Sequence, residues 1–208
     1  ARLAVPHHVV DEVETCRRVE RLQDVVGDLI TIDVDRKPAY HMWGGDISTQ
    51  LARLRGIEQL MLDMLDRPDW LHGVLAHMRD GILHTHEEAE RAGHWTLSSH
   101  QNQAMPYAHE LPDPQPCSPS VTRDHLWYYA ASQETTLVGP RLFEEFMLRY
   151  QAQIMAPFGL TAYGCCEDLT QKIDLLRRIP NLRRIGVAPA ADVRRCAEQI
   201  GPDYVLSY

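Results

Sequence analysis

The feature that most constrains the fold is a repeat of helix and strand signals in the last third of the chain. The segment GPRLFEEFMLRYQAQIM (139–155) has Pro140 near its first helical position and an apolar stripe along one side, which predicts a helix that ends before Gly159. Three apolar strand segments then alternate with two further helices: LTAYGCC (160–166), LRRIGVA (182–188) and DYVLSY (203–208). Because the connections are short, we expect adjacent parallel strands, in a closed barrel or an open doubly wound sheet.

The rest of the sequence favours the closed (β/α)8 TIM-barrel type of α/β fold over the open sheet. No glycine-rich phosphate loop of the GxGxxG or GxxxxGK kind is present, which argues against a nucleotide-binding open sheet. Further strands are predicted at DLITIDV (28–34), HWTLSS (94–99) and HLWYYAASQE (125–134), and a helical region at 57–92 breaks near Pro68. These segments give about six strands, whereas a barrel has eight and typically needs about 250 residues. We therefore expect residues 1–208 to form a single α/β-barrel domain that is a fragment of a longer barrel.

Composition argues against several classes of function. The 208 residues carry a formal net charge of −8, which disfavours nucleic acid and anionic membrane surfaces as partners. No run approaches the roughly 18 consecutive apolar residues of a membrane span, and the start lacks the basic and apolar regions of a secretory signal. Five cysteines without a repeating spacing do not make an extracellular disulfide framework. We therefore expect a cytoplasmic protein with reduced thiols that acts on a small-molecule substrate.

Polar residues that follow the predicted strands are the candidates for a functional site, because barrels place catalytic groups where strands run into helices. His100 and Glu134 are the candidates for acid–base catalysis. The predicted substrate pocket comprises His41, Trp43, Asn102, Gln133 and Tyr163. The histidines of the 57–92 region are expected instead in solvated or interhelical positions.

The stretch YGCCEDL holds the sharpest candidate, the sequential residues Cys165, Cys166 and Glu167. Adjacent residues of a regular strand point to opposite faces, so we expect one thiol inside the barrel and the other beneath a helix. Free cysteines are often small buried apolar side chains, and core packing is one interpretation of the pair. The other is a metal site, because Glu167 and Asp168 add negative charge that opposes thiolate formation unless a cation is bound.

Three phrases resemble the uroporphyrinogen decarboxylase superfamily. The segment GIEQLMLDMLDRP (56–68) is similar to a phrase that precedes a long helix in that superfamily, and the segments 139–150 and 163–173 are also similar to it. The resemblance extends over residues 50–208. It implies an α/β barrel and two chemistries: cofactor-free decarboxylation of tetrapyrrole acetate groups, and methyl transfer between a corrinoid protein and a thiol. In the second, zinc is held by a His-x-Cys pair and a later cysteine.

Carried over to this sequence, the resemblance implies a Zn²⁺ site and its partners: Cys166 or Cys165, Glu167, His100 and Glu134. Gly164 or Tyr163 stands where the superfamily has its histidine, depending on the register. We expect metal-assisted methyl transfer from a corrinoid on a partner protein, or from another methyl donor, to a thiol or similar acceptor. Two alternatives stay open: a metal-free decarboxylase acting on a carboxylated tetrapyrrole-like substrate, and a non-catalytic corrinoid-pathway binding protein.

Overall fold

The fold combines a helical first half with a four-stranded parallel sheet in the second half. The computed structural model describes residues 4–41, 44–100 and 108–208. Its helices and strands, in chain order, are α1 Glu12–Val26, α2 Ser48–Arg55, α3 Ile57–Asp66, α4 Pro68–Arg91, β1 Trp127–Ala130, α5 Pro140–Phe143, α6 Arg149–Met155, β2 Leu160–Tyr163, α7 Ile173–Leu176, β3 Leu182–Gly186, α8 Val193–Ile200 and β4 Val205–Ser207. A π-helical turn, Glu144–Leu148, joins α5 to α6, so the predicted helix of this segment is present.

The sheet has the sequential order β1-β2-β3-β4, and each neighbouring pair is parallel. β1 and β2 pair in register from Trp127–Leu160 to Ala130–Tyr163. The prediction that the last three strands are adjacent and parallel is confirmed, and the strand predicted within 125–134 is β1. One short helical connection between consecutive strands is enough to impose this order.

The two faces of the sheet pack against different parts of the chain. Residues of the connecting helices α5 to α8 belong to the main core, together with the strand residues Tyr128, Ala130, Tyr163 and Ile185. Alternate strand residues point the other way and form a smaller cluster of their own: Trp127, Tyr129, Ala131, Leu160 and Ala162. The connecting helices therefore cover one face of the sheet, as period-two alternation along each strand requires.

The break predicted near Pro68 is confirmed, because α3 ends at Asp66 and α4 begins at Pro68. The buried Asp63 fixes this junction. Its carboxylate accepts hydrogen bonds from Arg55 Nε at 2.6 Å and from Arg67 Nε at 3.0 Å. The Arg55 guanidinium is the main reason that the pKa of Asp63 lies below its ordinary value, so the carboxylate is charged and paired.

Two strand predictions in the first half are wrong. Residues 28–34 form no strand, and the side chains of Leu29 and Ile30 are exposed. At 94–99 the described structure has an isolated antiparallel bridge between Thr96 and Ser120 and a 3-10 turn at Leu97–Ser99. An alternating apolar pattern makes a strand only where a partner offers its backbone groups, and neither segment has a strand partner within the described ranges. The described part of the chain therefore has four strands rather than six.

The structure thus establishes a mixed α/β fold with a parallel sheet, and its closure into a barrel stays a prediction. None of the helices in the described ranges is both long enough and apolar enough to cross a membrane.

Candidate functional site

Polar side chains gather where β1 and β2 end. Ala130 and Tyr163, the last residues of the two strands, are register partners. β1 continues into the 3-10 turn Gln133–Thr135, which carries Glu134, and β2 continues into the turn that carries Glu167. The carboxyl ends of parallel strands meet at one edge of a sheet, which is where α/β folds place their sites.

Glu167 ties the two strand ends together. The residue is 0% exposed. Its carboxylate accepts a hydrogen bond from the backbone N–H of Ser132, with N and Oε1 2.7 Å apart, and from the backbone N–H of Cys165, with N and Oε2 2.8 Å apart. The carboxylate of Glu167 thus holds the segment after β1 and the segment after β2 together, because each of its two oxygens accepts a hydrogen bond from one of them.

The Lys172 ammonium group contacts the end of the 3-10 turn Gln133–Thr135. It is buried and donates to the carbonyl oxygens of Thr135 and Thr136, both at 3.2 Å. Burial lowers the pKa of Lys172, and the charges of Glu167 and Asp168 act in the opposite direction. The positive charge of Lys172 offsets part of the negative charge collected at this edge.

A second buried acid, Asp46, comes from the loop before α2. Thr49 Oγ1 lies 2.8 Å from Asp46 Oδ2 and 2.9 Å from Glu134 Oε1, so one hydroxyl group contacts two carboxyl groups. Ser48 Oγ lies 2.8 Å from the other oxygen of Glu134. Burial raises the pKa of Asp46 to about 7; the hydrogen bonds from Thr49 oppose the rise, and the charges of Glu134 and Glu167 add to it.

The hydroxyl group of Thr49 limits where a proton can lie at this edge. A threonine hydroxyl has one hydrogen and can donate it to only one of two acceptors. If Thr49 donates to the Glu134 carboxylate, Asp46 Oδ2 can stay at 2.8 Å only by carrying a proton and donating it to Thr49 Oγ1. The raised pKa of Asp46 agrees with this arrangement. The edge therefore holds a chain of hydrogen bonds that links Asp46 through Thr49 to Glu134, and a proton on Asp46 is compatible with it.

Backbone strain marks the same loop. Ile47, between Asp46 and Ser48, has φ of 65° and is 0% exposed. A β-branched residue in the left-handed region is a true outlier, and such strain persists only where the surroundings fix it. Gln151 supplies part of that restraint, because its Nε2 donates to the carbonyl oxygens of Asp46 at 2.6 Å and Ala131 at 2.9 Å.

The two cysteines lie beyond the end of β2, in an irregular turn. Gly164 has φ of 105°, which ends the regular pleat before Cys165. The two Sγ atoms are 3.4 Å apart, so the thiols lie side by side and the expectation that they point to opposite faces is wrong. Cys166 is exposed, which disagrees with core packing for that residue, whereas the half-buried Cys165 packs against the smaller cluster. Burial is the main reason that the pKa of Cys165 is raised.

A buried arginine, Arg184, lies near the cysteine turn. Arg184, on β3, pairs in register with Ala162 and so shares the face of Tyr129 and of the smaller cluster. It is 6% exposed; Nη2 donates to Ser207 Oγ at 2.7 Å, while Nε and Nη1 have no hydrogen-bond partner within the described residues. Burial lowers the pKa of Arg184, and Tyr129 and Cys165 oppose that effect. Buried unpaired guanidinium donors are suited to an anionic group.

His100 does not join Glu134. Its Nδ1 accepts a hydrogen bond from the backbone N–H of Trp127, the first residue of β1, at 3.1 Å, and its Nε2 contacts Pro112 O at 3.0 Å. His100 therefore lies at the amino end of β1, whereas Glu134 follows the carboxyl end. The expectation that the two residues converge is wrong, because the hydrogen bond to Trp127 holds His100 at the start of the strand.

The predicted pocket residues are dispersed. His41 is buried, with its ring centroid 5.5 Å from that of Trp95, and burial lowers its pKa well below the ordinary value. Tyr163 is fully buried on the helix-covered face and donates to Gln151 Oε1 at 2.8 Å. Gln133 begins the 3-10 turn that carries Glu134 and is half-buried. Trp43 and Asn102 lie outside the described residues.

Sequence reasoning missed Asp46, Ser48 and Thr49, which complete the acidic edge. The available signal was the phrase GGDIST at 44–49, in which an acid precedes two hydroxyl residues after paired glycines. Ser48 and Thr49 are separated in sequence by 83 to 86 residues from their contacts at the end of β1, so the sequence alone does not indicate that they meet.

Comparisons with known proteins give no relative for this chain. No family model matches it, and neither a curated protein nor a solved structure is similar to it at a significant level.

Proposed function

We propose that this chain is part of an α/β-barrel enzyme of the uroporphyrinogen decarboxylase superfamily. The sheet supports this proposal in two ways. Its strands follow one another in chain order, and the connecting helices pack on one face. Successive βα units of a barrel have this arrangement, whereas a doubly wound sheet reverses its order and carries helices on both faces.

The proposed reaction is metal-assisted methyl transfer to a thiol or similar acceptor, and the observation that carries it is the pair of adjacent thiols. Cys165 and Cys166 present their Sγ atoms 3.4 Å apart at the edge of the sheet where Glu134 also lies. Two sulfur ligands of one tetrahedral zinc ion, at Zn–S distances of about 2.3 Å, are about 3.8 Å apart. A change of a few tenths of an ångström would bring the thiols to that separation.

In the proposed site, we assign the two thiols as zinc ligands and leave Glu167 out of the ligand set. Among the described residues, Cys165, Cys166 and Glu167 are not a group whose donor atoms all lie within 4.8 Å of one another. Both oxygens of Glu167 already accept from backbone N–H groups. We therefore assign Glu167 the role of holding the turn that presents the thiols, as a second layer of groups does in metal sites.

The chain's own residues divide the remaining work. A bound zinc ion would supply Lewis acidity that favours the anionic form of a thiol acceptor. Glu134, oriented by Ser48 and Thr49, accepts the proton of the thiol acceptor, and the Thr49 hydroxyl links Glu134 to Asp46 by hydrogen bonds. Arg184 provides two unpaired donors for an anionic group on the substrate or donor.

The test is the metal content of Cys165→Ser/Cys166→Ser beside the parent and a Cys16→Ser control, which removes an exposed thiol of α1. Elemental analysis should show that the double variant loses about one zinc per chain and that the control does not, because a serine hydroxyl stays protonated and binds zinc poorly. Demethylation of methylcobalamin with a simple alkanethiol acceptor, followed by visible absorbance, should be lost with the metal. Equal metal content and equal turnover in all three proteins would refute the proposal.

A specific observation favours the decarboxylase as the second candidate. Decarboxylation leaves a carbanion that needs a proton, and Asp46 is a buried acid with a pKa of about 7, the range suited to proton transfer near neutrality. Arg184 would hold a substrate carboxylate. Turnover of a carboxylated tetrapyrrole that survives both chelation and the double cysteine substitution would select this reaction. Binding of a corrinoid without turnover in either assay would select the binding-protein alternative.

A further inference from the structure

A second set of side chains that could hold a metal ion lies where the N-terminal segment 4–10 crosses α4. His84 and Glu88 are one helical turn apart on α4, and His7 of the segment lies over them. In the described part of the chain, these three form the one group whose ligand atoms all lie within 4.8 Å of one another. From the sequence, the histidines of this helix are expected in solvated or interhelical positions; the contact of His84 with His7 spans 77 residues and is visible only in the fold.

The three ligand atoms form a nearly equilateral triangle. His7 Nδ1 and His84 Nε2 are each 3.0 Å from Glu88 Oε1, and the two nitrogens are 3.3 Å apart. In a tetrahedral zinc site with Zn–N and Zn–O bonds of about 2.0–2.1 Å, two ligand atoms are about 3.3–3.4 Å apart. The triangle therefore approximates one face of such a tetrahedron.

Hydrogen bonding alone does not account for three mutual contacts. The carboxylate oxygen only accepts, so both imidazole nitrogens must carry a hydrogen to satisfy their contacts with Glu88. The two nitrogens then face each other as two donors at 3.3 Å. If either nitrogen lacks its hydrogen, it faces the carboxylate as a second acceptor at 3.0 Å. At most two of the three contacts can be hydrogen bonds, whereas one cation satisfies all three.

Two further features hold the triangle in place. The backbone N–H of His8 donates to Glu88 Oε2 at 2.7 Å, which leaves Oε1 turned toward the two imidazoles. Gly81 of α4 lets the segment approach closely, because a Cβ at that position would lie 2.8 Å from Pro6 Cδ. A glycine inside a helix costs about 1 kcal/mol relative to alanine, and here it makes room for the segment.

We propose that His7, His84 and Glu88 form a binding site for a divalent transition-metal ion, of which Zn²⁺ is the representative, and that the ion fastens the segment 4–10 to α4. Two imidazoles and one carboxylate suit zinc, and the partly exposed side chains leave a fourth position for water. The site shares no residue with the cysteine pair, so this inference goes beyond the proposed function and does not depend on it.

The experiment is a zinc titration against a chromophoric competitor, carried out in the Cys165→Ser/Cys166→Ser background so that the thiols do not contribute. The parent background should bind about one zinc per chain, and His84→Ala or Glu88→Gln should weaken binding by about 100-fold. His77→Ala, which removes another histidine of α4 outside the triangle, should bind as the parent does. Cobalt in place of zinc should give a visible spectrum without thiolate charge transfer.

Gly81→Ala separates ligation from folding. Alanine raises helix propensity, so α4 should stay intact by circular dichroism, while the new Cβ displaces Pro6 and with it His7. We expect weaker zinc binding in a variant that keeps all three ligands. If the parent background binds zinc no more tightly than His84→Ala and Glu88→Gln do, with all proteins folded, the site does not exist.

Discussion

Asp46→Asn tests whether Asp46 keeps a proton in the folded protein. Asp46 is 1% exposed, and burial raises its pKa from the ordinary 3.8 to about 7. Asparagine has nearly the same shape as the protonated carboxyl group, and its NH₂ group can donate to Thr49 Oγ1 as the carboxyl O–H does. The substitution therefore keeps the hydrogen-bond chain to Glu134 and removes the titration.

The sign and size of the effect follow from proton linkage. Between the two pKa values the folded chain keeps a proton that the unfolded chain has released, so the contribution of Asp46 to the free energy of unfolding falls as pH rises. One pKa unit corresponds to about 1.4 kcal/mol, so the whole shift of Asp46 corresponds to about 4 kcal/mol, of which about 3 kcal/mol is lost between about pH 4 and about pH 7. The loss should level off above about pH 7, where the folded carboxyl group ionises too.

The assay is urea unfolding of the parent and of Asp46→Asn at a series of pH values, with Asp24→Asn, an exposed acid of α1, as the control. The stability of the variant should rise relative to the parent by about 3 kcal/mol across this range. The control should run parallel to the parent. A protonated Asp46 is refuted if the free energies of unfolding of the parent and Asp46→Asn change with pH in parallel, or if the parent becomes more stable relative to the variant as pH rises. Either result would show that Asp46 is ionised in the folded protein.

Two further substitutions test the edge of the sheet by the same unfolding assay. Gly164→Ala should destabilise the protein by at least about 2 kcal/mol, because φ is 105° at this position and the new Cβ would lie 2.5 Å from Gly186 O. Gly139→Ala is the control: its Cβ would meet no atom within 4 Å, so the free energy of unfolding should change little. Arg184→Met should leave stability unchanged or raise it by about 1–2 kcal/mol, since the buried guanidinium has unpaired donors within the described residues, and it should weaken the binding of an anionic substrate. A loss above about 3 kcal/mol for Arg184→Met would mean that the charge is paired in the folded protein.

The parallel sheet could be predicted because its signals are local. Each strand from β2 to β4 is a short apolar run, and one helical connection separates it from the next strand. The strand predicted at 28–34 is wrong because strand formation also depends on a partner strand from elsewhere in the chain. Its sequence alternates as a strand does, yet the described structure offers it no partner strand. The pattern of apolar residues along a segment indicates its propensity for extended structure, but it does not indicate whether a partner strand is present.

The functional edge was predictable only in part, for the same reason. Sequence order located Glu134 and the cysteine pair at strand exits, and the rule for strand ends is local. The orientation of the thiols was not predictable, because it depends on the positive φ of Gly164. Thr49 contacts Glu134 across 85 residues of sequence, and His7 contacts His84 across 77, so only the assembled fold brings these contacts together.

The two proposed metal sites can be tested separately, because their donor atoms differ in softness and therefore prefer different metal ions. Thiolates prefer soft ions such as cadmium, and imidazole with carboxylate prefers nickel or zinc. The parent should therefore take up cadmium through Cys165 and Cys166, with absorbance from thiolate charge transfer, and nickel through His7, His84 and Glu88 without it. Removing the thiols should abolish the first uptake alone, and Glu88→Gln should weaken the second alone. If either change removes both, the two clusters do not bind independently; if neither changes anything, both proposals fail and the bound metal is adventitious.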